Sequence, residues 1–343
     1  MENNIYRDGV LVDVNVSFWS GAKALNPEDM GLEKKDVADV YKLGQKHLLP
    51  TEVIHGFRLV EGRARRVVEE SSFPFPIGNA RFIPRKKFSK VLQELKGYQD
   101  EYNKLVDNLI DKYDEYRAQM VPVYRQAAET AFLAQTPAGV QEFSLEGREQ
   151  AQSEFVDRFL ARVAGLYPTA ESLRSRFSLD WDVYEIATPR MRKGDSETIA
   201  DSEDKAQAAS ADYREQMHRK LGGFIEDVVA SLRKETLEIC TRIAMNIKDG
   251  KVVKDRTIDS LKGFIDKFSE LNFVGDQKVE GQLEALRKEF LNAHTAEDIS
   301  DQPDLQEELR RRLSMVADAA SDVTDINSVT GEYKRKIEWQ ESI

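Results

Sequence analysis

Hydrophobic and polar residues alternate along residues 10–19, where Val10 begins the run and Trp19 ends it before Ser20-Gly21. A period of two is typical of a β-strand. Two shorter segments, 80–83 and 179–186, are further strand candidates. Because the three segments are far apart in the chain, we predict one small sheet of about three strands, joined by helical excursions that return to it.

A long amphipathic helix is predicted from 88 to 120, because apolar and aromatic residues recur there every three or four positions. This heptad seam contains one stutter and consists of Phe88, Val91, Leu95, Tyr98, Tyr102, Leu105, Leu109, Tyr113, Tyr116 and Met120. At ~1.5 Å per residue the helix would be roughly 50 Å long. We expect Pro122 to kink or end it before an alanine-rich continuation to Ala134.

A second helix is predicted from 145 to 166, and Pro137-Ala138-Gly139 predicts the turn before it. Together the two helices indicate an antiparallel hairpin that projects from the sheet over about 86–167. The hairpin could be a docking arm or a core helix pair with no role in recognition. The candidate partner contacts on it are Leu95, Tyr98, Tyr102, Leu105 and Leu109.

Residues 188–204 are rich in charge and serine and contain only two large apolar residues, Met191 and Ile199. This pattern predicts a linker or mobile loop between a mixed region, 1–187, and a helical domain, 205–323. Periodicity is lost over 324–343, which we interpret as a tail. Its Trp339 could contact a partner, but a tail folded back on its own domain is favoured.

The predicted fold is therefore mainly α. It combines a long antiparallel helical hairpin and a C-terminal helical bundle with one small β-sheet in the N-terminal half.

The composition is acidic: the 343 residues include 50 Lys and Arg against 61 Asp and Glu, a net charge of −11. This balance argues against a general nucleic-acid binder, which needs a basic face. Cys240 is the only cysteine, which excludes an intrachain disulfide and favours a reducing, cytoplasmic setting. No stretch approaches the ~20 apolar residues of a membrane span, so no membrane association is expected.

Motifs that carry chemistry are absent from the sequence. It contains no GxxxxGK[ST] or GxGxxG loop, and its four histidines form no metal-binding spacing. Cys240 lies in an apolar helical stripe, where a buried residue is favoured over a nucleophile. We therefore expect no cofactor, no metal and no catalytic residue, and hence a protein that is not an enzyme.

Two local patterns offer alternatives. Asp13-x-Asn15-x-Ser17 resembles the metal-coordinating DxSxS strand of von Willebrand factor A domains, but a solvated polar strand face is favoured because alternating strands and helices do not follow. Basic residues also interleave with an aromatic one in a possible contact for single-stranded nucleic acid, although solvated helix ends explain them equally well. This basic cluster consists of Arg81, Phe82, Arg85, Lys86 and Lys87.

Four motifs occur in a characteristic order. They are VDVNVSFWSGAKAL at 12–25 followed by Pro27-Glu28-Asp29, FRL at 57–59, FPFPIGNARFIP at 73–84, and LNFVGD at 271–276. In this order they resemble an uncharacterised bacterial and phage family of unknown function, numbered 3150.

That resemblance implies partners rather than a catalytic site. Members are typically encoded beside a MoxR-like or CobS-like AAA+ ATPase and a CobT-like von Willebrand factor A protein, on mobile elements, prophages and conflict loci. The resemblance implies a non-enzymatic helical adaptor or scaffold subunit that couples ATP-driven motion to a target, in phage defence or mobile-element biology. Two alternatives stay open: a nucleic-acid handling accessory in recombination or replication, and a structural protein that self-assembles into a homo-oligomer.

Overall fold

The computed structural model describes residues 5–30, 32, 43–76, 78–135, 145–186 and 200–341. Its helices are α1 (Ile5–Asp8), α2 (Thr51–Glu70), α3 (Arg85–Asp111), α4 (Tyr113–Gln135), α5 (Leu145–Ala164), α6 (Ala170–Arg174), α7 (Ala200–Lys248), α8 (Asp255–Leu271), α9 (Gln277–Ala285), α10 (Ala296–Asp301), α11 (Pro303–Ser321) and α12 (Val323–Glu341). Its strands are β1 (Gly9–Ser17), β2 (Ala22–Ala24), β3 (Gln45–His47), β4 (Phe73–Pro74), β5 (Arg81–Pro84) and β6 (Ser178–Tyr184). The predicted mainly α class is confirmed.

The small sheet has the strand order β4-β5-β1-β6, and β5 is antiparallel to both β4 and β1. All three predicted strands belong to it, and the two-residue β4 was too short to be recognised by periodicity. The sheet is not a doubly wound parallel one, so the fold is not that of a von Willebrand factor A domain. Strands β2 and β3 form a separate antiparallel pair, which the sequence pattern did not predict.

The Trp19-Ser20-Gly21 segment connects β1 to β2. Gly21 has a φ of 61°, a left-handed conformation that favours glycine. Its carbonyl accepts the backbone N–H of Leu48 at 2.6 Å. Trp19 is buried with its ring edge-on to Tyr113 at 6.5 Å. The motif is therefore explained by backbone geometry and packing.

The chain divides into two compact units that each combine separate segments. Unit 1 contains Met1–Asp13, Val67–Gln93 and Asp182–Ile343, and unit 2 contains Val14–Arg66 and Glu94–Trp181. The sequence-based division at 187/188 cuts the chain once. The units of the structure combine separate segments, and residues 1–13 and 67–93 belong with the C-terminal helices. Of the predicted linker, 188–199 lies outside the described residues and 200–204 is the start of α7.

Unit 1 is a helical bundle whose core is continuous with an aromatic cluster. Helices α7, α8, α9 and α11 bury aliphatic and aromatic residues at helical spacing, as the sequence pattern predicts. The aromatic cluster consists of Phe73, Phe75, Phe82, Phe224, Phe273 and Tyr333, with neighbouring ring centroids 4.8–6.4 Å apart.

Arg233 on α7 is a charged residue inside this bundle, with 1% of its surface exposed. Its Nε and Nη2 donate to the carboxylate of Asp276 at 2.6 and 3.0 Å, and its Nη1 donates to the carbonyl of Ala319 at 2.9 Å. Nη2 also donates to Asp325. Burial alone would lower the pKa of Arg233, but its hydrogen bonds to Asp276 and Asp325 outweigh burial and raise it. The guanidinium thus joins α7 to the start of α9, the end of α11 and the start of α12.

In unit 2, α4 and α5 form the predicted antiparallel pair. Tyr124 packs on Phe159 with ring centroids 6.3 Å apart, and Phe132 packs on Phe155 at 5.7 Å. Residue numbers increase along α4 while those of the contacting residues in α5 decrease, so the two helices are antiparallel. The predicted turn at 137–139 lies outside the described residues.

The predicted helix from 88 to 120 is divided at Lys112, where α3 ends and α4 begins. The division coincides with the stutter of the seam, where two steps of four residues follow one another. Pro122 does not end the helix, but lies inside α4. Ala118, whose carbonyl lacks its usual donor, is exposed, so water can satisfy that carbonyl.

The segment interpreted as a tail is helical as α12. Among its described side chains only Thr330 and Tyr333 are buried, which explains why no regular apolar spacing is visible. Tyr333 donates to Asp8 at 2.6 Å, so α12 folds back on the unit that contains it.

Replacing Arg233 by methionine should destabilise unit 1 by about 3–5 kcal/mol, because the buried Asp276 carboxylate loses its partner. Urea unfolding followed by circular dichroism measures this change. Arg311→Met is the matched control: its guanidinium pairs with Glu308 on the surface of α11, so little or no change in stability is expected. Equal losses in the two variants would contradict the structural role of Arg233.

Replacing Gly9 by alanine should also destabilise the chain, by about 1–3 kcal/mol, because β1 and β5 approach closely there. A Cβ at Gly9 would lie 2.3 Å from Cζ of Phe82 and 2.6 Å from the carbonyl oxygen of Ile83. In Gly62→Ala on α2 the new Cβ meets nothing within 4 Å, so a gain of roughly 0.5–1 kcal/mol is expected. The same urea experiment tests both, and a stable Gly9→Ala variant would refute this close packing.

Candidate functional site

Most residues of the predicted nucleic-acid contact are buried in unit 1 or bonded to other residues of that unit. Phe82 is fully buried and cannot stack on a base. Arg81 donates from Nε to the Ser72 hydroxyl at 2.8 Å and from Nη2 to the Glu69 carbonyl at 3.3 Å. Burial lowers the pKa of Arg81, against the opposing effect of the Glu69 charge.

Two of the other three basic residues of that cluster, Arg85 and Lys87, also have partners in unit 1. Arg85 donates to the carbonyl of Arg7 at 2.7 Å. Lys87 is 8% exposed and forms an ion pair with Glu270. Lys86 alone of the five residues is an exposed cation for which the structure gives no intramolecular partner. The geometry therefore provides no basic and aromatic platform for a single strand.

The predicted docking seam lies largely in the core of unit 2. Leu95, Tyr102 and Leu109 have no exposed surface, and Tyr98 and Leu105 are partly buried. These residues hold α3 against its own unit, which corrects their interpretation as free partner contacts. Trp339 lies on α12, and its side chain is outside the described residues.

A groove between α4 and α5 is the site that sequence reasoning missed. Its volume is about 540 Å³. The residues that line this hairpin groove are Asp114, Arg117, Ala118, Val121, Tyr124, Leu160, Ala161, Val163, Ala164 and Tyr167. Alanines at 118, 161 and 164 carry too little side chain to fill the space, and this run of small residues on two facing helices was the signal available in the sequence.

At one end of the hairpin groove a cation lies beside a pair of aromatic rings. The Arg117 guanidinium lies 5.6 Å from the Tyr113 ring centroid and 5.1 Å from that of Tyr167. Arg117 also donates to Asp114 at 3.1 Å. The groove is therefore apolar along most of its lining and charged at one end, and a bound segment could contact both parts.

Large apolar side chains are exposed along the same hairpin. Val121, Val123 and Leu133 of α4 are 46%, 55% and 53% exposed. Val121 also lines the groove, so exposed apolar surface continues into it. Val121 is the one of these three side chains that adjoins the groove.

Four tyrosine hydroxyls of unit 2 donate to backbone carbonyls elsewhere in that unit. Tyr102 donates to Ser17 at 2.6 Å, Tyr113 to Pro168 at 2.9 Å, Tyr124 to His47 at 2.5 Å and Tyr167 to Leu48 at 2.7 Å. Burial raises the pKa of all four, that of Tyr113 to about 12.

A second opening of about 380 Å³ lies beside the start of α2. His47, His55 and Arg58 line it together with Glu52, and all four are exposed. Over the described ranges, no group of three or more His, Cys, Asp and Glu side chains could hold a metal ion.

Cys240 is fully buried, as the sequence pattern predicts. Burial raises the pKa of its thiol to about 12, so the thiol is protonated at neutral pH and is a poor nucleophile. Within the described residues, no helix has the length and apolar character that a membrane crossing requires.

The raised pKa values of the four tyrosine hydroxyls lead us to expect a lower free energy of unfolding at high pH. Below pH 10, the ordinary tyrosine pKa, both folded and unfolded chains keep these protons. Above it the unfolded chain loses protons first, because the folded-state pKa values are raised, so the stability of unit 2 falls as pH rises. We expect phenolate absorbance of these residues to appear only as circular dichroism reports unfolding. Titration of all tyrosines near pH 10 in a chain that stays folded would contradict this.

Residues 7–305 match the model of a family described as "Protein of unknown function (DUF3150)". The four ordered motifs fall within the matched range. No curated protein and no solved structure matches the chain. Since the match covers most of the sequence, the chain belongs to the DUF3150 family.

Proposed function

We propose that this protein is a non-enzymatic helical adaptor that binds a partner subunit through the hairpin groove. The proposed partners are a MoxR-like or CobS-like AAA+ ATPase and a von Willebrand factor A protein, which the family resemblance implies. The proposed setting is the cytoplasm, in phage defence or in the biology of a mobile element.

The observation that carries this proposal is the apolar surface that runs from the exposed face of α4 into the groove. Val121 is 46% exposed while it lines the groove, and Leu160 and Val163 face it from α5. An apolar helix face from a partner would cover this surface and gain free energy from the water it releases. Asp114 and Arg117 at one end supply charges that can set the direction of the bound segment.

The buried ion pair of unit 1 and the tyrosine hydroxyls of unit 2 hold the fold together, which favours an adaptor over an enzyme. The Arg233 guanidinium and the Asp276 carboxylate are bonded to each other, and the tyrosine hydroxyls are bonded to backbone carbonyls. Arg81, Arg85 and Lys87 of the basic cluster are likewise bonded within unit 1, and Phe82 is buried, so the cluster gives the nucleic-acid alternative little support.

Val121→Asp should weaken partner binding by about ten-fold or more, since it places a charge on the apolar surface that the partner buries. The chain would be co-expressed with the AAA+ ATPase and von Willebrand factor A proteins expected from the neighbouring genes. Size-exclusion chromatography and mass photometry would then report the complex.

Val252→Asp is the matched control, because Val252 is 66% exposed on unit 1 and lies far along the chain from the hairpin. It should leave binding unchanged. Equal binding by both variants would refute the groove as the docking surface. A homo-oligomer of the isolated chain that Val121→Asp dissociates would instead favour the self-assembling alternative.

A further inference from the structure

The described side chains of α12 contact the rest of unit 1 mainly through polar groups. Asp322 accepts the backbone N–H groups of Thr324 and Asp325 at 3.1 and 3.3 Å and so caps the helix. The same carboxylate pairs with Lys278 at 2.8 Å. Farther along, Lys334 pairs with Glu226. These two ion pairs are half exposed, where such pairs stabilise weakly and are screened by salt.

The apolar attachment of α12 is small compared with that of its neighbours. Helices α8 and α11 each bury six apolar side chains. Among the described side chains of α12, Tyr333 is the one apolar residue in the core, and Ile326 and Val329 pack on it only partly buried. Since burial of apolar surface is the main source of stability, the part of α12 whose side chains the structure describes, 323–335, is held far less firmly than α8 or α11.

Docking of α12 also leaves a polar atom without a partner. Thr330 is 6% exposed, and its Oγ1 accepts and donates no hydrogen bond. By contrast, the buried Thr236 hydroxyl donates to the carbonyl of Leu232 at 2.8 Å. Water would satisfy the Thr330 hydroxyl if α12 were undocked, so the docked state carries a penalty that the undocked state lacks.

Undocking of α12 does not leave the buried cation alone. Arg233 would lose Asp325 but keep both bonds to Asp276 and its bond to the Ala319 carbonyl. The remaining bundle therefore retains its central ion pair. What undocking uncovers is Phe273, whose ring lies 5.7 Å from that of Tyr333 in an edge-on arrangement.

We propose that α12 is a releasable strap, which undocks as a unit while α7, α8 and α11 stay folded and thereby opens the edge of the aromatic cluster at Phe273. Proteins commonly open in such partial units, below the free energy of global unfolding. The strap lies outside residues 7–305, which match the family model. The proposal is independent of the hairpin groove and of the adaptor role.

Hydrogen exchange of the full-length chain, read by mass spectrometry, tests the strap. We expect the amides of α12 to exchange by an opening that leaves α8 and α11 protected, and to exchange faster as salt is added. If α12 exchanges only together with α8 and α11, the strap does not exist.

Two threonine substitutions provide a matched pair. Thr330→Val removes the unsatisfied hydroxyl and should slow exchange of α12 by about five-fold or more. Thr236→Val removes a satisfied hydroxyl on α7 and should leave the protection of α12 relative to α8 unchanged. Faster exchange of α12 in Thr330→Val would overturn the argument from Thr330.

Tyr333→Phe keeps the ring and removes the bond to Asp8, so it should accelerate exchange of α12 alone by about five-fold. An equal acceleration in α8 and α11 would show instead that α12 is an integral part of the bundle.

Discussion

The pairing of Arg233 with Asp276 is the interaction on which the organisation of unit 1 depends. A buried guanidinium loses its hydration, at a cost of several kcal/mol, and is tolerated only where its donors are satisfied with good geometry. Both carboxylate oxygens of Asp276 and the carbonyl of Ala319 provide that geometry. The start of α9 and the end of α11 are therefore fixed relative to α7 by one side chain.

This constraint also explains the LNFVGD motif at 271–276. Asn272 accepts the backbone N–H of Asp276 at 2.9 Å and donates to its carbonyl at 3.2 Å, while Gly275 adopts a φ of 78°. The turn places Asp276 both as the cap of α9 and as the partner of Arg233. Two other motifs have comparable roles, since Gly21 adopts a left-handed conformation between β1 and β2, and Phe75 and Phe82 fill the aromatic cluster. The motifs shared with the family thus consist of residues that form turns or pack in the core. For this reason they do not indicate a catalytic or binding site.

Regular patterns in the sequence predicted the elements whose burial is regular. The seam along α3 predicted a helix because its apolar side chains form one face that packs on a core. The alternation along β1 predicted a strand, although both faces of that strand are buried from Gly9 to Val12. The stutter of the seam marked the break at Lys112, whereas the continuation of α4 past Pro122 depends on local exposure, which periodicity does not contain. The basic cluster was misleading for a different reason: Glu270, the partner of Lys87, lies 183 residues away in the sequence. The hairpin groove was missed because the small side chains of Ala118, Ala161 and Ala164 create it, whereas the predictions were based on large apolar residues.

The burial of Cys240 has a practical consequence for work on this protein. Because its thiol is protonated and shielded from solvent, it reacts slowly with maleimides and other alkylating reagents. A cysteine introduced at an exposed position would consequently be the one readily labelled thiol. Fluorescent dyes or spin labels can then be attached at chosen points without first removing the natural residue.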